Sequence, residues 1–182
     1  MYTFANGKVR LRELRLEDAT VYARWFNDFE ITRNLVSPRP YSVAEEEAWI
    51  RHEAESGNYT FAIEAIDGPE PLLIGNCAIH KPDWRSRQAE VGIVVGEHDY
   101  LGRGYGTAAL QLLLEYGFGE LNLHRIHLNV YAFNARAIRS YEKVGFTLEG
   151  TEREALFRDG QYHDVWIMSI LLPEWQAIVA TT

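Results

Sequence analysis

The chain has 182 residues, 47% of them apolar and 24% charged, so it can bury one core without staples, and its one cysteine, Cys77, excludes a scaffold built on internal disulfides. Its formal net charge of −8 argues against nucleic acid as a partner, because phosphate binding needs clustered Lys and Arg, and weakly favours a cationic partner such as an amine. No apolar run approaches the roughly 20 residues of a membrane span, and MYTFANGKVRLREL lacks the apolar core of a signal peptide, so a cytoplasmic protein is expected.

Lys8 to Leu14 alternates, with Val9 and Leu11 on one face and Arg10 and Arg12 on the other, and reads as a first strand. Glu17 to Asn27 carries Val21, Tyr22, Trp25 and Phe26 at helical spacing. Residues 28–41 contain Pro38 and Pro40 and read as a loop. Ser42-Val43-Ala44-Glu45 has the form of a capping box and opens a second helix through Glu53. Tyr59–Ile66 and Leu72–Ile79 form a hairpin around Asp67-Gly68-Pro69. Glu90 to Val95 is a continuous apolar strand. A helix over Ala108–Phe118 and a strand over Arg125–Val130 follow. Asn134 caps another helix through Tyr141, with Gly145 just beyond it. Two last strands flank Asp159-Gly160, the usual type I′ hairpin pair. The order β-α-α-β-β-β-α-β-α-β-β predicts a mixed α/β sheet, with residues 1–182 forming one domain.

Gly102, Gly104 and Gly106 alternate between a strand and a helix. Glycine allows close backbone approach, and the helix start offers free N–H groups and positive potential, so the run Leu101 to Thr107 suits a phosphate or pyrophosphate. Arg103 adds a charged donor at the rim. No Lys-Ser or Lys-Thr follows, as a P-loop requires. Gly104-x-Gly106-x-x-Ala109 satisfies the dinucleotide fingerprint literally. However, Gly96 to Leu101 intervene after the strand, and the acidic residue expected about 20 positions on is missing near Val130 to Ala132.

GEHDYLGRGYGTAALQLLLEYGF (Gly96 to Phe118) resembles the pyrophosphate-binding motif of the GNAT N-acetyltransferase superfamily. LNLHRIHLNVYAFNARAIRSYEKVGF (Leu121 to Phe146) resembles its second block. EALFRDGQYHDVWIMSIL (Glu154 to Leu171) and VRLRELRLEDA (Val9 to Ala19) are similar to its RimJ/RimL-like branch. The resemblance implies the GNAT fold, with Val91–Val95 splayed from its parallel neighbour. It implies acetyl-CoA as co-substrate, held by the backbone of Gly102, Arg103, Gly104, Tyr105, Gly106 and Thr107. The cofactor arm would pair near Ile93 and Val95 and bond to Asn134. The family motif usually begins with Arg or Gln, where this chain has Leu101, so no side chain there helps to hold phosphate.

Acyl transfer to an amine needs a proton donor for the thiolate and a base for the amine. Tyr141 is the candidate acid and Glu90 the candidate base, with His80 a weaker alternative. An amide near Val95 would stabilise the oxyanion. No Ser or Cys nucleophile with an adjacent base is evident, so direct attack in a ternary complex is expected. Trp84, His163 and Asp164, with Tyr162 and the segment Phe29 to Tyr41, are candidates for holding a small-molecule or peptide amine. The remaining histidines are scattered, so no metal site is expected. A homodimer is an expectation from the resemblance. The rival readings are an acyl-CoA-binding module without catalysis and a dehydrogenase.

Overall fold

The computed structural model describes residues 4–35 and 39–181. Alternation near the N-terminus yields a short hairpin, β1 (Phe4–Ala5) and β2 (Val9–Arg12). Val9 and Leu11 enter the core. Arg12 was expected on the polar face, but it is buried against Asp18 and Glu64.

The first expected helix divides into a 3-10 turn, Leu16–Asp18, and α1 (Ala19–Phe26). The expected loop 28–41 contains a four-residue helix, α2 (Phe29–Thr32), while its residues 36–38 lie outside the described residues. Asp28 caps α2 by accepting from the Glu30 amide at 2.9 Å. The capping box of α3 (Val43–Glu53) forms as its spacing requires. The Glu45 amide donates to Ser42 Oγ at 3.2 Å, and the Ser42 amide donates to the Glu45 carboxylate at 2.8 Å.

Next come β3 (Tyr59–Ala65), β4 (Leu72–Asp83) and β5 (Gln88–Val95), an antiparallel meander. α4 (Tyr105–Glu115) begins three residues before the expected Ala108, because Gly104 is already its cap. It continues into a π turn, Tyr116–Glu120. β6 (Arg125–Tyr131), α5 (Ala135–Lys143), β7 (Thr147–Arg158) and β8 (Gln161–Leu171) follow. Asp159 and Gly160 have φ of +52° and +80°, as a type I′ turn demands. The last helix, α6 (Leu172–Val179), was not expected. Glu174 holds its start by accepting from the Leu171 amide at 2.8 Å, and Trp175 packs on Phe118 with ring centroids 5.3 Å apart.

Among the described residues, the strands form one sheet in the order β1-β2-β3-β4-β5-β6-β8-β7, and only β5 and β6 pair in parallel. One core cluster joins the sheet to α4 and α5 through Leu110, Leu113, Leu114 and Ile138, with Ile74 and Ile126. A second joins α1, α2 and α3 through Tyr22, Trp25, Ile31 and Ile50, with Leu73 packed against it. Successive strand residues face opposite ways, so Leu73 and Ile74 put the two helical layers on opposite faces of the sheet.

Candidate active site

β5 and β6 pair only at Gln88–Arg125, Ala89–Ile126 and Glu90–His127. Beyond Glu90 the two strands separate. From Val91 to Val95 the edge of β5 facing β6 has no ladder partner, while the other edge stays bonded to β4 as far as Val95–Gly75. Apolar β5 therefore becomes half-exposed from Gly92 to Val95. A cleft of about 580 Å³ opens at this gap. An unpaired strand edge offers an extended ligand a row of backbone donors and acceptors.

The glycine run closes one end of the cleft. Gly102 and Gly104 have φ of +70° and +87°, the left-handed region that favours glycine. Gly104 caps α4, whose first-turn amides from Tyr105 to Thr107 have no intrahelical acceptor. Gly102, Gly104, Gly106 and Thr107 line the cleft. Gly96 precedes the run, where the Trp25 ring leaves no room for a side chain. Trp25 Nε1 then donates to Glu97 at 2.9 Å, which ties the loop to α1. The side chains of Arg103 and Tyr105 lie elsewhere. Arg103 donates to the Asp99 carbonyl at 3.0 Å, and the Tyr105 hydroxyl donates to Asp67 at 2.9 Å. Neither side chain is among those lining the cleft.

α5 forms an adjoining wall. Asn134 caps it by accepting from the Ala137 amide at 3.2 Å, which leaves Nδ2 as the donor for a ligand. Tyr141 lines the cleft, and burial pushes its phenol up to about 12, so it stays a neutral donor. Ile93, Val95 and Glu90 line the cleft as well. Glu90 Oε1 accepts from Asn129 Nδ2 at 3.2 Å. His80 and His127 are its cross-strand neighbours. Burial lowers the pKa of His127, so that imidazole is neutral. His80 and Glu90 also line a neighbouring hollow of about 440 Å³ with Asp83 and His127.

Trp84, His163 and Asp164 do not line the cleft. Trp84 packs edge-on to Tyr59 with centroids 6.3 Å apart. His163 packs against Phe133, and Asp164 accepts from the Glu154 amide at 2.9 Å. The segment Phe29 to Tyr41 does contribute, through Ile31, Asn34 and Leu35. Sequence reasoning missed Glu53, which lines the cleft from the end of α3. Its carboxylate accepts from Thr60 Oγ1 at 2.6 Å and from Asn58 Nδ2 at 3.1 Å. It also missed Arg136, Arg139 and Lys143 on α5, whose i, i+3, i+7 spacing was a usable signal. Among the described residues, the lining carboxylates are Glu53 and Glu90 alone, whereas the lining Arg and Lys residues all come from α5. No group of three or more His, Cys, Asp and Glu there is placed to hold a metal. No helix there is long and apolar enough to cross a membrane.

Residues 8–147 match the family model described as the acetyltransferase (GNAT) domain. The chain belongs to the GNAT acetyltransferase family. Spermidine N(1)-acetyltransferase of Vibrio cholerae is 30% identical over 171 residues, covering 91% of this chain and 94% of that protein. The putative ribosomal N-acetyltransferase YdaF of Bacillus subtilis is 30% identical over 167 residues, covering 92% and 87%. A crystal structure of the Vibrio cholerae spermidine N-acetyltransferase in complex with CoA and spermine matches with a TM-score of 0.83 at 29% identity, covering 94% of this chain and 99% of that one. The protein is an acetyl-CoA-dependent N-acetyltransferase with the GNAT fold. None of these findings supports an acyl-CoA-binding module without catalysis.

The cleft suits that co-substrate. Added Cβ atoms at Gly102 and Gly104 would meet nothing within 4 Å, so open space adjoins the first-turn amides. Gly104→Ala tests this grip. An L-residue in the left-handed region costs about 1–2 kcal/mol, which the loop can relieve only by turning its amides away. The KM for acetyl-CoA is expected to rise about tenfold, equivalent to 1.4 kcal/mol. A lower melting temperature with an unchanged KM would make Gly104 a turn residue only.

Proposed function

We propose that residues 1–182 act as one cytoplasmic N-acetyltransferase domain of the RimJ/RimL-like branch, transferring acetyl to a small cationic primary amine. One observation carries this reading: among the described residues, the basic residues lining the cleft all come from α5, whereas its carboxylates come from α3 and β5. We assign Arg136, Arg139 and Lys143 to the half that takes the polyanionic co-substrate, and Glu53 and Glu90 to the half that takes a cation. A peptide N-terminus supplies one positive charge, whereas a diamine supplies a second for the second carboxylate.

In this reading the amides of Gly102 to Thr107 hold the pyrophosphate, the free edge at Ile93 and Val95 pairs with the pantetheine arm, and Asn134 Nδ2 bonds to it. Glu90 takes the proton from the ammonium, directly or through water. The neutral amine attacks the thioester carbonyl, an amide near Val95 stabilises the oxyanion, and Tyr141 gives its proton to the departing sulfur. An acceptor screen tests the assignment by measuring CoA release from acetyl-CoA with monoamines, diamines, polyamines and short peptides. Diamines or polyamines are expected to give at least a tenfold higher kcat/KM than peptides. Preference for peptides with a free N-terminus would overturn the small-amine assignment. A homodimer is part of the same proposal, and sedimentation reads it directly.

A further inference from the structure

Arg158, the last residue of β7, reaches across the molecule to the chain just after α2. Its guanidinium donates to the carbonyls of Thr32 at 3.3 Å, Arg33, and Leu35 at 2.8 Å. The same group lies over the Tyr131 ring, 5.4 Å from its centroid. Ile31, Asn34, Leu35 and Tyr131 all line the cleft. One side chain therefore joins two parts of the cleft wall.

α2 has four residues, too few to hold a helix without tertiary support. The following turn supplies single backbone donors, Asn34 to the Ile31 carbonyl at 3.4 Å and Leu35 to the Thr32 carbonyl at 2.9 Å, and Arg158 adds donors at Thr32, Arg33 and Leu35. A guanidinium supplies several donors in a rigid planar fork, which an ammonium does not. The segment 31–35 belongs neither to the glycine run nor to α5, the elements that suit the co-substrate. Ile31 and Leu35 share a core cluster with Trp49 and Ile50 of α3, the helix that ends at Glu53, and with Leu101.

We propose that Arg158 is a positioning residue that clamps segment 31–35 into the acceptor-facing wall, so that the β7–β8 hairpin sets acceptor affinity without touching the reacting atoms. The proposal rests on the assignment of that half of the cleft to the acceptor amine.

The test compares wild type, Arg158→Met and Arg158→Lys by steady-state kinetics and by amide hydrogen exchange over residues 29–35. In Arg158→Met, the acceptor KM is expected to rise about tenfold, with kcat within about twofold, the KM for acetyl-CoA unchanged, and exchange at 29–35 faster. Lys carries its three donors on one nitrogen and cannot reproduce the span of the two guanidinium nitrogens, so it is expected to fall between the two. An unchanged acceptor KM, or a parallel rise in the KM for acetyl-CoA, would overturn the clamp. If Arg158→Met does not fold, Arg158→Lys carries the same comparison. A wild type active only on peptides would sink the small-amine reading alone, since the preferred acceptor then reports the same KM change. Unchanged exchange at 29–35 sinks the clamp whatever the acceptor.

Discussion

Replacing Tyr141 by Phe is expected to lower kcat by about 10²–10³, within the range typical of lost acid catalysis. The KM for acetyl-CoA should stay within about twofold, because the proposed grip on that substrate is spread over the backbone of the glycine run and β5. Phe keeps the ring and its packing against Phe146, where the centroids lie 5.9 Å apart, so the hydroxyl alone is removed. The pH dependence follows from the direction of the shift. Burial pushes the phenol up from 10 to about 12. A raised pKa keeps the proton on Tyr141 through the whole assay range, so kcat should not fall between pH 8 and about pH 10 through loss of the acid. Any rise in that window reports deprotonation of the amine or its base. Normal turnover by Tyr141→Phe would make Tyr141 a packing residue and move the acid elsewhere.

Features that are local in the chain were legible in the sequence. The Ser42 capping box, the Asp159-Gly160 turn and the glycine run each satisfy a backbone requirement within a few residues, and each formed as its residue types demand. The glycine-run end of the cleft is a backbone feature, so its glycines announce it. The lining from α2 and α3 is different. Glu53 is held by Thr60, and Ile31 to Leu35 by Arg158 more than 120 residues away, and no spacing in the chain records such contacts. Short elements were lost for the same reason: α2 stands on Asp28 and Arg158, and α6 on Trp175 against Phe118. The aromatic and polar residues chosen for substrate, Trp84, His163 and Asp164, were plausible types in irregular or hairpin segments. Residue type does not say which segment folds toward the gap between β5 and β6.

Arg12→Met should be the most destabilising of these substitutions, by about 3–5 kcal/mol, because it leaves buried carboxylates without their charge partner. Arg12, Asp18 and Glu64 are each no more than 6% exposed. Arg12 donates to both oxygens of Asp18 at 2.8 Å and to Glu64 at 2.6 Å, and Arg10 adds a bond to Glu64 at 2.9 Å. The network joins β2 and β3 to the turn that launches α1, the helix whose Trp25 packs on Gly96. Burial pushes the Glu64 carboxyl up, but the hydrogen bonds from Arg12 and Arg10 outweigh it and hold the group below its ordinary value. A depressed folded pKa stabilises the protein above the ordinary carboxylate pKa and is lost as pH falls through the folded value. Wild type should therefore lose stability in acid. In Arg12→Met the sign reverses: with its main partner gone, burial raises the Glu64 carboxyl, and protonating it relieves the unpaired charge. The gap in melting temperature between the two proteins should narrow steadily from pH 7 to pH 4.5. A gap that is constant over that range would mean the cost is lost packing of the Arg12 side chain rather than buried charge. Glu64→Gln in the Arg12→Met background makes the same distinction at neutral pH, where it should recover part of the loss only if charge is the cause.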